Sequence, residues 1–196
     1  MPTSRQFPRK PFRFGVQANS APDRKSWVDL SKRVEANGYS VLTLPDHFTD
    51  QLAPMPALMC AADVTSTLRL GALVWDNDYK HPLVFAKELA TMDVLSEGRI
   101  ELGIGAGWMK TDYEQSGIPY DSPGVRIDRM IEGIDVMRGC FAEGPFSFSG
   151  KHYTITNYNG MPKPLQGACP PILMGGGGKR FLTYAAQQAD IVGINA

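Results

Sequence analysis

Apolar positions along this chain fall into two rhythms, short continuous runs and longer stretches with a helical period. The run Phe12 to Ala18 (FRFGVQA) is rich in β-formers and predicts a first strand. A helix follows over Lys25 to Asn37, with Trp27, Leu30 and Val34 on one face and Gly38 as its stop. Tyr39 to Leu44 (YSVLTL) predicts a second strand, cut off by Pro45. Pro56 to Thr65 predicts a helix whose proline is tolerated in the first turn. Leu68 to Trp75 (LRLGALVW) reads as the third strand, Pro82 to Leu95 as a helix ended by Gly98, and Ile100 to Ile104 as the fourth strand.

The next link is longer. Gly124 to Phe141 carries Val125, Ile127, Met130, Ile131, Ile134, Met137 and Phe141 on a 3.6-residue face. Residues 144–170, punctuated by prolines and aromatics, read as an irregular excursion lying on the domain. Pro171 to Met174 predicts a fifth strand, Phe181 to Ala189 a helix, and Asp190 to Asn195 a sixth strand. Short apolar strands separated by helices imply an α/β fold with a parallel sheet covered on both faces. An open doubly wound sheet and a (β/α)₈ barrel both satisfy that pattern. A barrel needs eight units and about 250 residues, so this chain of 196 looks like the first six units of one, in a single domain over residues 1–196.

Composition narrows the classes. Twenty basic residues balance twenty acidic ones, which argues against nucleic acid or an anionic membrane as partner. No apolar run approaches the roughly 18 residues of a membrane span, and the basic, proline-bearing start lacks the core of a signal peptide. Cys60, Cys140 and Cys169 are widely spaced, a pattern of free thiols in a reducing cytoplasm.

Candidate chemistry gathers where strands end, as a barrel would place it. In GRIELGIGAGW (Gly98 to Trp108) a strand runs into Gly103, Gly105 and Gly107, glycines that would let a flat ligand lie against the backbone. Gly175, Gly176, Gly177 and Gly178 follow another strand and open a helix, offering backbone N–H groups to a phosphate. Neither cluster is a Walker loop or a dinucleotide fingerprint: Leu173 and Arg180 break the first, and Gly107 comes one position early for the second. Asp46 and His47 form the best acid/base pair. On local sequence alone, a helix-capping aspartate beside a partly buried histidine is the plainer explanation of the pair. His81 fits a helix cap and His152 fits packing, and three isolated histidines make no metal site.

Together, EANGYSVLTLPDH, LRLGALVWDNDYKHP, ATMDVLSEGRIELGIGAGW, PPILMGGGG and AAQQADIVGIN, in this order, resemble the luciferase-like monooxygenase superfamily, and within it the branch that uses the deazaflavin F420. The resemblance implies a TIM barrel holding a flavin-like ring at the strand C-termini. It places a bulge with a non-prolyl cis peptide at Leu73–Val74 behind the ring. Asp46 and His47 would lie at its reactive face, Gly105, Ala106, Gly107 and Trp108 would line the pocket, and Gly175 to Gly178 would take the phosphate. The implied function is hydride transfer between F420 and a small, apolar organic substrate, with Trp75, Trp108 and Phe48 as walls. The alternative is an FMN-dependent monooxygenase fed by a flavin reductase, and a further alternative is a non-catalytic barrel that binds either cofactor. Ala106 stands where sugar-phosphate-oxidising relatives carry a glutamate, so that substrate class is disfavoured. A homodimer is implied for the full-length protein, and this chain alone is expected to expose strand edges and be poorly soluble.

Overall fold

The computed structural model describes residues 11–194. Its main sheet is parallel throughout and runs β1 (Gly15–Gln17), β2 (Val41–Leu44), β3 (Arg69–Ala72), β5 (Ile100–Gly105), β8 (Ile172–Gly176) and β9 (Ile191–Ile194), while β4 (Trp75–Asp76) pairs with β5. Each strand lies beside its predecessor on this path and the order never reverses. A doubly wound sheet reverses at a switch point, whereas a barrel winds in one direction. The winding therefore selects the barrel, and the curled sheet forms part of its wall.

Helices α1 (Arg24–Ala36), α2 (Pro54–Asp63), α3 (Pro82–Leu95), α4 (Lys110–Ser116), α5 (Pro123–Phe141) and α6 (Lys179–Gln188) cover the sheet. Asp23 caps α1 by accepting the Ser26 N–H, and His81 caps α3 by accepting that of Leu83. The predicted α1 face holds: Trp27 and Val34 are buried, and the Trp27 indole donates to the Ala57 carbonyl at 2.8 Å, tying α1 to α2. At the strand starts, buried Glu101 accepts Arg69 Nε at 2.5 Å and Arg13 at 2.6 Å, closing that end with ion pairs. Glu35 closes it further by accepting the N–H groups of Ser66, Thr67 and Leu68.

Several boundaries depart from the sequence expectation. The first strand is shorter than Phe12 to Ala18, and Phe12 and Phe14 stay exposed. The third strand divides. Gly71 pairs with Glu101 and Trp75 with Ile104, so four steps on one strand oppose three on the other. The extra residue is a bulge, and within it the Leu73–Val74 peptide is cis. The excursion is not wholly irregular: it holds an antiparallel hairpin, β6 (Phe146–Ser149) and β7 (Thr154–Tyr158), against α5. Helix α4 has no apolar period and went unpredicted. The predicted end of the last strand at Asn195 lies outside the described residues. No helix among the described residues is long and apolar enough to cross a membrane.

Candidate functional site

The C-terminal ends of all six strands along the sheet surround one cavity of about 650 Å³. Gln17 enters it from β1, Asp46 and His47 from the loop after β2, Leu73 and Val74 from the bulge, and Gly193 and Ile194 from β9. Gly105, Ala106, Gly107 and Trp108 line it after β5, and Gly175, Gly176 and Gly177 line it at the end of β8. Of the predicted catalytic and cofactor-binding residues, Asp46, His47, Leu73, Val74, Gly105 to Trp108 and Gly175 to Gly178, Gly178 alone is outside the lining, one step further on as the N-cap of α6. Two predicted walls are displaced: Trp75 is buried against Phe85, and Phe48 stacks on Tyr79 instead of facing the cavity.

The glycines also have a packing role beside their place at the cavity. A Cβ on Gly103 would fall 1.9 Å from the Ala72 carbonyl oxygen. One on Gly105 would fall 2.6 Å from Val74 Cγ2, and one on Gly175 would fall 2.8 Å from Val74 Cγ1. The Val74 side chain is thus socketed between two glycines, which lets the bulge seat as one wall of the cavity. Gly107 has φ +73° and turns the chain against Tyr113 and Asp76. Of the glycines at the strand ends, only Gly177 and Gly178 have open space at the Cβ position, and they lead into α6, whose N-terminus has no side-chain cap.

Polar groups converge on one flank. The Asp46 carboxyl lines the cavity and its Oδ2 accepts the Asp76 N–H at 3.3 Å. Burial pushes it up to about 6, against the lowering effect of that bond and of Lys80 and His47. Burial also pushes Asp76 up to about 6, although its carboxyl accepts the Asp78 N–H and the Tyr113 hydroxyl. His47 Nδ1 sits 2.7 Å from Asp112 Oδ2, which also accepts the Tyr79 hydroxyl at 2.9 Å. Asp76 and Asp112 were not predicted as site residues. Asp76 stands at a strand end, a signal that was available; Asp112 sits on short α4 and only the fold brings it to His47.

Arg126, on α5, is buried and also reaches the cavity. Its Nε donates to the Ala106 carbonyl at 3.1 Å and its Nη2 to that of Gly107 at 3.3 Å. Its guanidinium lies 4.1 Å from the Tyr120 ring centroid, a cation–π contact. Arg126 makes no ion pair among the described residues, so carbonyl oxygens and aromatic faces hold its charge. Among the described residues no group of three or more His, Cys, Asp or Glu side chains is arranged to hold a metal.

A one-way β/α wall whose strand C-termini ring a single cavity is the plan of a barrel enzyme. The sequence matches the luciferase-like monooxygenase family over residues 10–196, and the chain belongs to that family. It is 27% identical over 190 residues to an FMNH(2)-dependent dimethylsulfone monooxygenase of Pseudomonas putida, covering 90% of this chain and 51% of that protein. Among solved structures it is similar to a coenzyme F420-dependent tetrahydromethanopterin reductase from Methanopyrus kandleri, at 26% identity and TM-score 0.84, covering 94% of this chain and 56% of that one. A long-chain alkane monooxygenase shares the fold at TM-score 0.85 and 16% identity, covering 95% of this chain and 56% of that one. The chain spans about half the length of the relatives it matches.

Proposed function

We propose that this cavity binds F420 and that the chain belongs to an oxidoreductase moving hydride between that deazaflavin and a small, apolar or aromatic organic molecule. The observation that carries the proposal is the Val74 socket: a bulge held between Gly105 and Gly175 walls a cavity that all six strand ends enter. The residues fit such a group. Leu73 and Val74 supply an apolar backing, and about 650 Å³ lies in the usual range for small-molecule sites. Gly177 and Gly178 leave the uncapped N-terminus of α6 open to a phosphate. Likeness to an F420-dependent reductase at 26% identity supports the choice of deazaflavin.

F420, when bound, supplies the hydride chemistry. The chain's own part is orientation and proton handling. Asp46, raised to about 6, and His47 sit where a substrate proton is taken or returned. Ala106 lines the cavity without a carboxyl group, so those two carry the acid/base role. A cytoplasmic homodimer, formed through the early barrel helices, is part of the same proposal.

A second reading, an FMN-dependent monooxygenase supplied by a flavin reductase, draws support from the 27% identity to the dimethylsulfone enzyme. Fluorescence titration of the protein, in its natural reading frame, with F420 and FMN in parallel separates the two. Tight F420 and weak FMN binding is the expected result. The reverse preference establishes the monooxygenase reading, and binding without turnover on any hydride acceptor makes the barrel a carrier.

A further inference from the structure

His47 Nδ1 and Asp112 Oδ2 lie 2.7 Å apart across 65 residues of sequence. The Asp112 side chain is almost completely buried, on the first turn of α4. A carboxylate only accepts hydrogen bonds, so the short contact requires the proton on Nδ1. Tyr79 donates its hydroxyl to the same oxygen at 2.9 Å, and the Phe48 N–H approaches the other oxygen at 3.4 Å. Trp108 stands edge-on to the imidazole, with centroids 5.5 Å apart, on another side of the ring. Nε2 has no hydrogen-bond partner among the described residues and is not walled off from solvent.

We propose that Asp112 is the positioning residue of His47, holding the neutral imidazole in the Nδ1–H tautomer so that the Nε2 lone pair is the proton acceptor presented to the cavity. This rests on the reading of His47 as the acid/base group. In the forward sense the N–H bond forms at Nε2 as a bond to hydrogen in the bound molecule breaks. The return step reverses both. Tyr79 supports the arrangement, since its hydroxyl fixes the Asp112 carboxylate and its ring stacks on Phe48 at 4.5 Å. Asp112 is not itself part of the cavity lining; it acts through the ring of His47, which is.

The test is ¹⁵N-histidine NMR of the protein at neutral pH, with the His47 signals assigned by their loss in His47→Gln. The expected spectrum has a protonated Nδ1 and a bare Nε2. Asp112→Asn, whose amide can donate to Nδ1, is expected to shift the ring toward the Nε2–H form. It also lowers kcat at least about tenfold with KM within about twofold, and Asp112→Glu restores part of the loss. An Nε2–H tautomer in the wild-type protein overturns the proposal, as does an unchanged His47 spectrum in a folded Asp112→Asn. If that variant does not fold, the wild-type tautomer still decides. The NMR arm needs no cofactor, so absent turnover with both F420 and FMN would sink the hydride-transfer reading while leaving the tautomer result standing.

Discussion

Gly103 and Ala72 meet more closely than any side chain allows: a Cβ on Gly103 would lie 1.9 Å from the Ala72 carbonyl oxygen. The obstacle is backbone on the strand that carries the bulge, so it has no rotamer through which to yield. Gly103→Ala is expected to destabilise the protein by about 2–4 kcal/mol or prevent folding. At Gly105 the nearest obstacle is a side chain, Val74 Cγ2 at 2.6 Å, with the Gly175 carbonyl oxygen at 3.2 Å, a milder clash than the one at Gly103. Gly105→Ala is therefore expected to melt nearer the wild type while weakening cofactor binding. Equal losses of melting temperature in the two variants would contradict this account of the socket.

Asp46 sets a pH dependence of stability. Its folded value of about 6 lies above the ordinary 3.8, so the folded state holds a proton that the unfolded chain releases. Stability from this group is greatest below about pH 4 and is lost as pH rises through about 6. Asp46→Asn is expected to raise stability at pH 7.5 by about 1–3 kcal/mol, with the gain vanishing near pH 4. Asp76 titrates in the same window and is coupled to it, so the two effects will not add. A melting series over that range checks the prediction; a gain independent of pH would refute it.

Glu132 works in the opposite sense. Partial burial raises its carboxyl, but the N–H groups of His152, Lys151 and Tyr153 outweigh that and hold it below the usual range. Its contribution is present above the unfolded value and is lost as pH falls through the lower folded one. Glu132→Ala should release residues 150–153 from α5 at a cost of about 2 kcal/mol. Hydrogen exchange reads this directly, as faster exchange of those three amides; unchanged protection would show that the hairpin docks without the carboxylate.

Arg126→Lys is expected to behave as a severe change. An ammonium cannot reach both the Ala106 and Gly107 carbonyls while lying flat on Tyr120. A loss of about 2–3 kcal/mol should accompany weaker cofactor binding, since these carbonyls belong to the cavity lip. A lysine variant that melts and binds as the wild type does would remove Arg126 from the account.

Trp108 should show the contrary pattern. It lines the cavity yet is 65% exposed. Trp108→Ala should alter stability by no more than about 0.5 kcal/mol, while KM for an apolar substrate rises several-fold. A large drop in melting temperature with KM unchanged would make the residue structural.

Legible in the residue order were the strand and helix rhythm, the crowding of glycines and polar residues at strand ends, and the candidacy of Asp46 and His47. These are short-range signals: hydrophobic period, proline and glycine punctuation, and the resemblance carried by contiguous motifs. Helix α4 escaped because seven residues, KTDYEQS, are too few and too polar to show a period. The purpose of Gly105 and Gly175 escaped because no local pattern reports that the Val74 side chain lies between them. Periodicity left a doubly wound sheet and a barrel both open; the motif resemblance implied the barrel, and the strand order bears it out, since that order is a property of pairing between distant segments. Tertiary structure alone set Asp112 on His47 across 65 residues and Arg126 under the carbonyls of Ala106 and Gly107. Such contacts arise only when separate β/α units pack on one core, and that packing completes the site around the histidine.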